Sequence, residues 1–323
     1  MSFRKMSANL LLDELKEKWQ QLQLIPNIFA YRLNVTECKI LPGEYGFYSE
    51  LNPERTALRR PPQTILSLEP QFNEDKFNFK KVKPEECLMH VDYEGSKMSI
   101  IINNSPLTRY HTLICPDVHS SLPQRICEKA LQFCVDFLES LIENGERNFR
   151  IGYNSPGALA SVNHLHLHLM FIVKDLYIDH VDLQFLSEPD IFRLAPNMPT
   201  EAICFQINLE DSKTVKLKKV KRLNEFLQWL CINNMPHNLF LTPERNLPNK
   251  TNVLKVFVFV RQEYCIVKNL NTYNIGFCEL AGYVPVGGKE LYDNLTEANI
   301  IQKINNETGN VFSQIYNYFL NEM

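Results

Sequence analysis

Residues 164 to 168 read His-Leu-His-Leu-His, three alternate histidines in an otherwise apolar stretch of a 323-residue chain that has eight histidines in all. In a strand, residues i, i+2 and i+4 point to one face, so His164, His166 and His168 form a row of imidazoles while Leu165, Leu167 and Leu169 face a core. Such a row could chelate a metal ion, but its outer members stand about 13 Å apart at the backbone, too far for three bonds of about 2.1 Å to one ion. A two-histidine site would need a carboxylate from elsewhere, and none is near in sequence. The row could also be a set of buried histidines satisfied by hydrogen bonds, the ordinary reading for a single one. The remaining chemistry is nucleophilic. A neutral imidazole attacks an α-phosphate, a neighbour fixes its tautomer, and others support charge on the phosphoryl oxygens. That suits a row whose middle member is flanked on both sides.

The elements that must position the row are legible from periodicity. An apolar strand at Met98 to Ile102, a turn at Ser105-Pro106, and a second strand at Tyr110 to Cys115 precede a helix expected from Leu122 to Ile142. That helix carries Ile126, Ala130, Phe133, Phe137, Leu138 and Leu141 on one side and ends at Asn144-Gly145. Strands at Asn148 to Tyr153 and Val162 to Val173 complete an α+β unit. The same order recurs at a lag of about ninety residues: a strand at Ile203 to Leu209, a helix at Val220 to Ile232, and strands at His237 to Leu241 and Val253 to Val260. In the recurrence, VLKVFVFV stands where HLHLHLMF stood, so the second copy keeps the architecture without the chemistry.

The expected fold class is therefore α+β: an antiparallel sheet with covering helices in two pseudo-repeated halves. Residues 1–90 form an amphipathic helix (Leu11, Leu15, Trp19, Leu22, ending near Pro26) and an extended wrapping segment from Pro42 to Pro70. Residues 91–182 form the half that carries the histidine strand. Residues 183–323 form the degenerate half, entered through a Pro-rich connector from Leu183 to Thr200, and a tail after Asn269 that closes with a helix from Thr296 to Leu320.

A net charge of -3 leaves no electrostatic footprint for nucleic acid or an anionic membrane. The local basic run Lys213 to Arg222 reads as a solvated helix face. Nine cysteines without a C-x-x-C argue against a disulfide framework and a zinc knuckle. No stretch approaches the roughly 20 apolar residues of a membrane span, and the N-terminus has no long apolar segment. The expectation is a cytoplasmic protein with small-molecule ligands, no nucleic-acid or membrane partner, and no metal or other cofactor. Because a pseudo-repeat lets one chain supply both halves, it would be a monomer or a homodimer.

Residues Ser161 to Phe171 resemble the histidine-triad signature, in which the middle histidine, His166 here, is the nucleophile. Asn104 to His119 resembles the hairpin that precedes it in that superfamily, with its Ser-Pro turn, His111, Pro116 and His119. An acidic ribose ligand often stands just before that turn; the counterpart here is Asn103 or Asn104. Finer features resemble one branch. They are Arg59-Arg-Pro-Pro-Gln63, Lys76-Phe-Asn-Phe79, Ile102-Asn-Asn-Ser-Pro106, Leu122-Pro-Gln-Arg125, Gly152-Tyr-Asn-Ser155 through His168, and Glu279-Leu-Ala-Gly-Tyr-Val-Pro-Val286. Together they resemble the GDP-D-glucose phosphorylase family of animals, relatives of plant GDP-L-galactose phosphorylase, in order from about Arg59 to Ile304. The chain departs from that pattern at Tyr110, where the family has Gly before the histidine, and at Leu169-Met170-Phe171, where it has Gly-Tyr-Tyr. A Gly to Tyr change near a phosphate site is expected to alter the room available there.

The resemblance implies a histidine-triad-like sheet and phosphorolysis of a GDP-hexose through a guanylylated His166. His164 and His168 would support charge, with Ser161, Asn163, Asn154, Asn103 and His111 as substrate-binding candidates and no metal. For the amides and the serine, a plain turn or strand-edge role fits equally well. The rivals are a histidine-triad hydrolase, in which water discharges the intermediate, and a nucleotide-binding module without turnover. The second would be marked by loss of the middle histidine, and His166 is present.

Overall fold

The computed structural model describes residues 8–55, 61–187, 189–245, 252–266, 268–269, 272–309 and 311–320; Arg59 and Arg60 of the quoted motif lie outside the described residues. In chain order the elements are α1 (Ala8–Leu22), β1 (Glu37–Ile40), β2 (Tyr48–Leu51), β3 (Cys87–Tyr93), β4 (Ser96–Ile102), β5 (Thr112–Pro116) and α2 (Glu128–Glu143). They continue with β6 (Phe149–Asn154), β7 (Leu167–Phe171), β8 (Leu183–Ser187), β9 (Ile191–Leu194), β10 (Ile203–Asn208), α3 (Lys213–Ile232), β11 (His237–Pro243) and β12 (Val253–Val260). The chain closes with α4 (Phe277–Leu280), β13 (Tyr283–Val286), α5 (Lys289–Asp293), α6 (Glu297–Thr308) and α7 (Phe312–Leu320).

Ten of the strands form one sheet in the order β3-β4-β5-β7-β6-β11-β12-β10-β9-β8. From either edge to the centre the connectivity is the same: β3, β4, β5, β7, β6 on one side and β8, β9, β10, β12, β11 on the other. Helix α2 joins β5 to β6, and α3 joins β10 to β11. The two halves meet where β6 pairs antiparallel with β11, Asn154 opposite Asn238. The pseudo-repeat expected from the lag is thus visible strand by strand.

Alternation along the strands divides the core into two layers. Leu167 and Leu169 of β7, with Leu254, Val256 and Val258 of β12, pack under α1, α2 and α3. Met170, Phe257 and Phe259 face the other way, toward a second layer built by α4, α6 and the small sheet β1-β2-β13. His168, the histidine on β7, lies on this second face, where it is only partly covered.

Several boundaries differ from expectation, each for a local reason. Helix α2 starts at Glu128, not Leu122, because residues 122 to 124 bond to the histidine segment: Leu122 O accepts the Leu165 N–H at 2.8 Å. Helix α3 starts at Lys213, capped by Ser212, so the basic run is helical. Its lysines are engaged by acids of neighbouring elements: Lys213 by Glu94, Lys216 by Glu139, and buried Lys219 by Asp190 and Asp211. Lys218 and Lys221 stay exposed, so the run is part solvated face and part a row of ion pairs. The connector from Leu183 to Thr200 contains β8 and β9, which finish the second half of the sheet, and the wrapping segment contributes β2 to the small sheet. The closing helix is broken at Gly309, at φ +51°, into α6 and α7.

Candidate active site

The regular ladder of β7 begins at Leu167, so His164, in a bend, and His166 precede it rather than sitting in a strand from Val162. Gln124 takes the place of the missing ladder partner. Its side-chain Oε1 accepts the His166 N–H at 2.9 Å, and its Nε2 donates to the carbonyls of His166 and Asn154 at 3.1 and 3.0 Å. A wholly buried amide thereby satisfies backbone groups that would otherwise be orphaned.

His166 stands with its Nδ1 2.8 Å from the carbonyl oxygen of His164. A carbonyl only accepts, so Nδ1 carries the proton, and in the neutral ring the lone pair sits on Nε2. His166 lines a cleft of about 420 Å³, within the range of roughly 300–1,000 Å³ usual for small-molecule sites. His164 does not line it. Its ring is buried between Phe72 and Phe79, its Nδ1 accepts the Phe79 N–H at 3.0 Å, and burial pushes its pKa down to about 4. It reaches the site through its carbonyl.

His168 is the second ring facing the cleft, its centroid 5.2 Å from that of His166. Its tautomer follows from a chain of donors that begins in backbone. The Leu107 N–H donates to His111 Nδ1 at 2.9 Å. Burial holds His111 neutral, its pKa near 3, so its proton is on Nε2 and points at His168 Nδ1, 3.0 Å away. His168 is half-buried where it faces the cleft, and desolvation together with its neighbours His166 and His111 holds its pKa far below the usual imidazole range, so its own proton lies on Nε2. The cleft is thus offered a lone pair by His166 and an N–H by His168.

The remaining candidates divide. His111, Asn103, Asn154 and Ser161 all line the cleft. Asn103 Nδ2 lies 3.0 Å from His111 Nε2, but its Oδ1 accepts the Ser105 N–H, so that contact sets two donors together and adds no bond. Ser161 Oγ accepts from Lys268 Nζ at 2.6 Å. Asn163 is not brought to the cleft. Its Oδ1 accepts the Gln124 N–H at 3.0 Å and its Nδ2 donates to the Gln71 carbonyl at 2.7 Å, tying three loops together.

Of the other lining residues, Phe79 and Glu279 belong to motifs quoted above, whereas Arg55, Lys268 and Phe277 carry no local signal in the sequence. Arg55 and Lys268 bring two cations to the cleft from opposite ends of the chain. Phe79, on the turn Phe79–Lys81, packs 5.1 Å from His166, and Phe277 packs 5.1 Å from His168. Glu279 is buried, its pKa raised by that burial, and its carboxylate accepts the Gly276 N–H at 2.9 Å. The apolar end of the cleft is formed by Phe77, Phe79, Val82, Ile101, Leu113 and Val162. Among the described residues, no group of three or more His, Cys, Asp or Glu side chains is placed to hold a metal ion.

Tyr110 does not enter the cleft. Its backbone takes the left-handed conformation at φ +58°, which explains why a glycine is suited to this position. Its ring points under α1, against Trp19 and Phe171 at centroid distances of 5.5 and 5.3 Å. The expected loss of room at a phosphate site is therefore corrected. Tyr110 and Phe171, the last residue of the second departure, touch each other on the far side of the sheet, whereas Met170 faces the second layer.

This arrangement, a pseudo-repeated sheet with a histidine row at one half, is a histidine-triad-like fold. The yeast Ap4A phosphorylase Apa2 in complex with Ap4A superposes with a TM-score of 0.65 over 92% of this chain and 97% of that one, at 15% identity. Residues 10–170 match the family described as GDPGP1-like, N-terminal domain. GDP-D-glucose phosphorylase 1 of Xenopus laevis is 30% identical, covering 90% of this chain and 82% of its own. The human GDP-D-glucose phosphorylase 1 is 32% identical, covering 88% and 76%. The chain belongs to the GDP-D-glucose phosphorylase family.

Proposed function

We propose that this protein is a GDP-hexose phosphorylase that converts GDP-D-glucose and phosphate to GDP and glucose 1-phosphate by nucleotidyl transfer through His166. The observation that carries the reading is the tautomer of His166: Nδ1–H held by its own chain and the Nε2 lone pair on the side lining the cleft. His166 Nε2 attacks the α-phosphorus, the bond to the β-phosphate oxygen breaks, and hexose 1-phosphate leaves. An oxygen of inorganic phosphate then attacks the histidine-bound GMP, the P–N bond breaks, and GDP leaves. His168 Nε2–H and the Asn154 amide donate to the phosphoryl oxygens. Arg55 and Lys268 offset the charge of the diphosphate and of the acceptor, and the apolar end of the cleft takes the base.

Nine cysteines with no disulfide among the described residues fit a reducing compartment and hence a cytoplasmic location. The test is to mix the protein with GDP-glucose and phosphate and assay GDP and glucose 1-phosphate. GMP released at the same rate without phosphate makes it a hydrolase instead, and nucleotide binding without either product makes it a binding module.

A further inference from the structure

The half of the sheet that lacks the histidine row contributes two buried polar residues aimed at the other half. Asn238 on β11 is wholly buried, and Arg261, just past β12, is 1% exposed. A guanidinium in an apolar interior is costly unless its donors are used. Here Nη2 meets the Glu307 carboxylate, and Nη1 donates to the Ile275 carbonyl at 2.6 Å and to Asn238 Oδ1 at 3.3 Å.

An arginine has no acceptor, so the contact with Arg261 fixes which end of the Asn238 amide is oxygen. Asn238 Nδ2 must then face the seam between the halves, where it donates to Asn154 Oδ1 at 2.6 Å and to the Ala158 carbonyl at 2.9 Å. The Phe277 N–H, which can only donate, reaches the same Asn154 Oδ1 at 3.3 Å. Two independent donors thus hold the oxygen of Asn154 away from the cleft it lines, which leaves Nδ2 as the end presented there. Every link in the chain Glu307, Arg261, Asn238, Asn154 has one allowed polarity.

We infer that Asn238 and Arg261 are positioning residues for nucleotidyl transfer: they lock the Asn154 amide with its N–H groups toward the phosphoryl oxygens. The inference rests on the nucleotidyl-transfer reading of the cleft. The Asn238 amide is matched to an oxygen on each donor it offers, so an aspartate there, isosteric but with no N–H, turns a donor into an acceptor facing Asn154 Oδ1.

The experiment is a double-mutant cycle on the full chain with Asn238→Asp and Asn154→Ala, reading kcat and KM for GDP-glucose phosphorolysis, GMP affinity by calorimetry, and the unfolding midpoint. N238D is expected to lower kcat by about 10- to 100-fold with KM and GMP affinity within about twofold, because a donor aimed at charge that develops in the transition state acts on kcat. In the N154A background the same change is expected to cost less than about threefold, since its target is gone. Equal losses in both backgrounds, or N238D activity close to wild type, overturn the inference. If N238D fails to fold, the cycle is run with Asn238→Ser, which keeps a small polar group that cannot reach Asn154; the same two outcomes decide. Wild-type protein that binds GMP but shows no phosphorolysis overturns the functional reading and the inference with it, whereas normal wild-type turnover with equal losses in both backgrounds overturns the inference alone.

Discussion

The Nε2 of His111 lies 3.0 Å from the Nδ1 of His168, so a residue outside the row decides which nitrogen of a row member carries its proton. Replacing His111 by Phe removes the donor and keeps the volume. His168 is then free to hold its proton on Nδ1 and to present a lone pair, instead of an N–H, to an anionic ligand. Phosphorolysis is expected to fall by about 10- to 100-fold in kcat. His111→Gln, which can donate from a similar position, is expected to recover part of the loss. Equal activity of the Phe and Gln variants would show that the contact packs the ring without setting its tautomer.

Tyr110 separates stability from activity. It carries backbone strain at φ +58°, yet its ring packs on Trp19 and Phe171 and its hydroxyl accepts from Gln20 at 2.8 Å. Truncating a buried aromatic costs roughly 3–5 kcal/mol, and glycine recovers about 1–2 kcal/mol of left-handed strain. Tyr110→Gly is therefore expected to lose about 2 kcal/mol in urea unfolding, and Tyr110→Ala to lose about 1 kcal/mol more because it keeps the strain. Both should retain kcat/KM within about threefold. A large drop in kcat/KM with an unchanged unfolding midpoint would return Tyr110 to the site.

Gly152 is required by close approach and not by its dihedral angles. It pairs with His168 across β6 and β7, and a Cβ built there would stand 2.1 Å from the ring of Phe277, which itself packs on His168. Gly152→Ala must displace that ring. The expected cost is about 1–3 kcal/mol of stability from overpacking, together with a fall in kcat as His168 loses its neighbour. Co-substitution of Phe277 by Leu should relieve the overpacking; if it does not, the clash is elsewhere.

The fold and the row were legible for different reasons. Alternation and a ninety-residue lag are properties of adjacent residues, so β4 to β7, β10 to β12, both covering helices and the pseudo-repeat followed from the sequence, while β1, β2, β3 and β13 did not. What failed were boundaries decided by distant partners: Gln124 has helical neighbours in sequence but is recruited by His166, and the Pro-rich connector becomes β8 and β9 because the second half needs its edge. Within the site, His166 and His168 stood out by spacing, whereas Arg55, Lys268, Asn238 and Arg261 come from loops and strand ends with no periodicity of their own. Asn163 was read as a ligand donor from its place beside the row; in the fold both ends of its amide are used to tie loops.

Burial of histidines sets the acid limit of the protein. His111, His164 and His237 are buried, with pKa values pushed down to about 3, 4 and 4, and His168 lies far below its usual range. In the unfolded chain each titrates near 6.5. Below that pH the unfolded state takes up protons that the folded state refuses, so the stability these groups contribute is complete above about 6.5 and is lost as pH falls toward their folded values. At about 1.4 kcal/mol per unit each, the four withdraw about 5 kcal/mol per pH unit, comparable with the whole stability of many domains. The urea midpoint is expected to be flat from pH 8 to 7 and to drop steeply between 6 and 5. A midpoint unchanged down to pH 5 would mean that these rings are already protonated in the fold, and a shallower drop that some of them are.

The covalent step leaves the most direct trace. With GDP-glucose and no phosphate, the second displacement lacks its acceptor, so GMP should remain on His166 and glucose 1-phosphate should appear in a burst close to one per enzyme. A histidine phosphoramidate is labile in acid and comparatively stable in alkali, so intact mass should show the adduct in base and lose it in acid. Added phosphate should then release it as GDP. His166→Ala should fold, with an unfolding midpoint near wild type, and show neither adduct nor turnover, since no other ring in the cleft presents a lone pair: His168 offers its proton there because His111 occupies its other nitrogen. Continuous GMP release without phosphate would make water the acceptor. Normal steady phosphorolysis without burst or adduct would leave direct attack by phosphate as the mechanism, with His166 holding charge on the phosphoryl group.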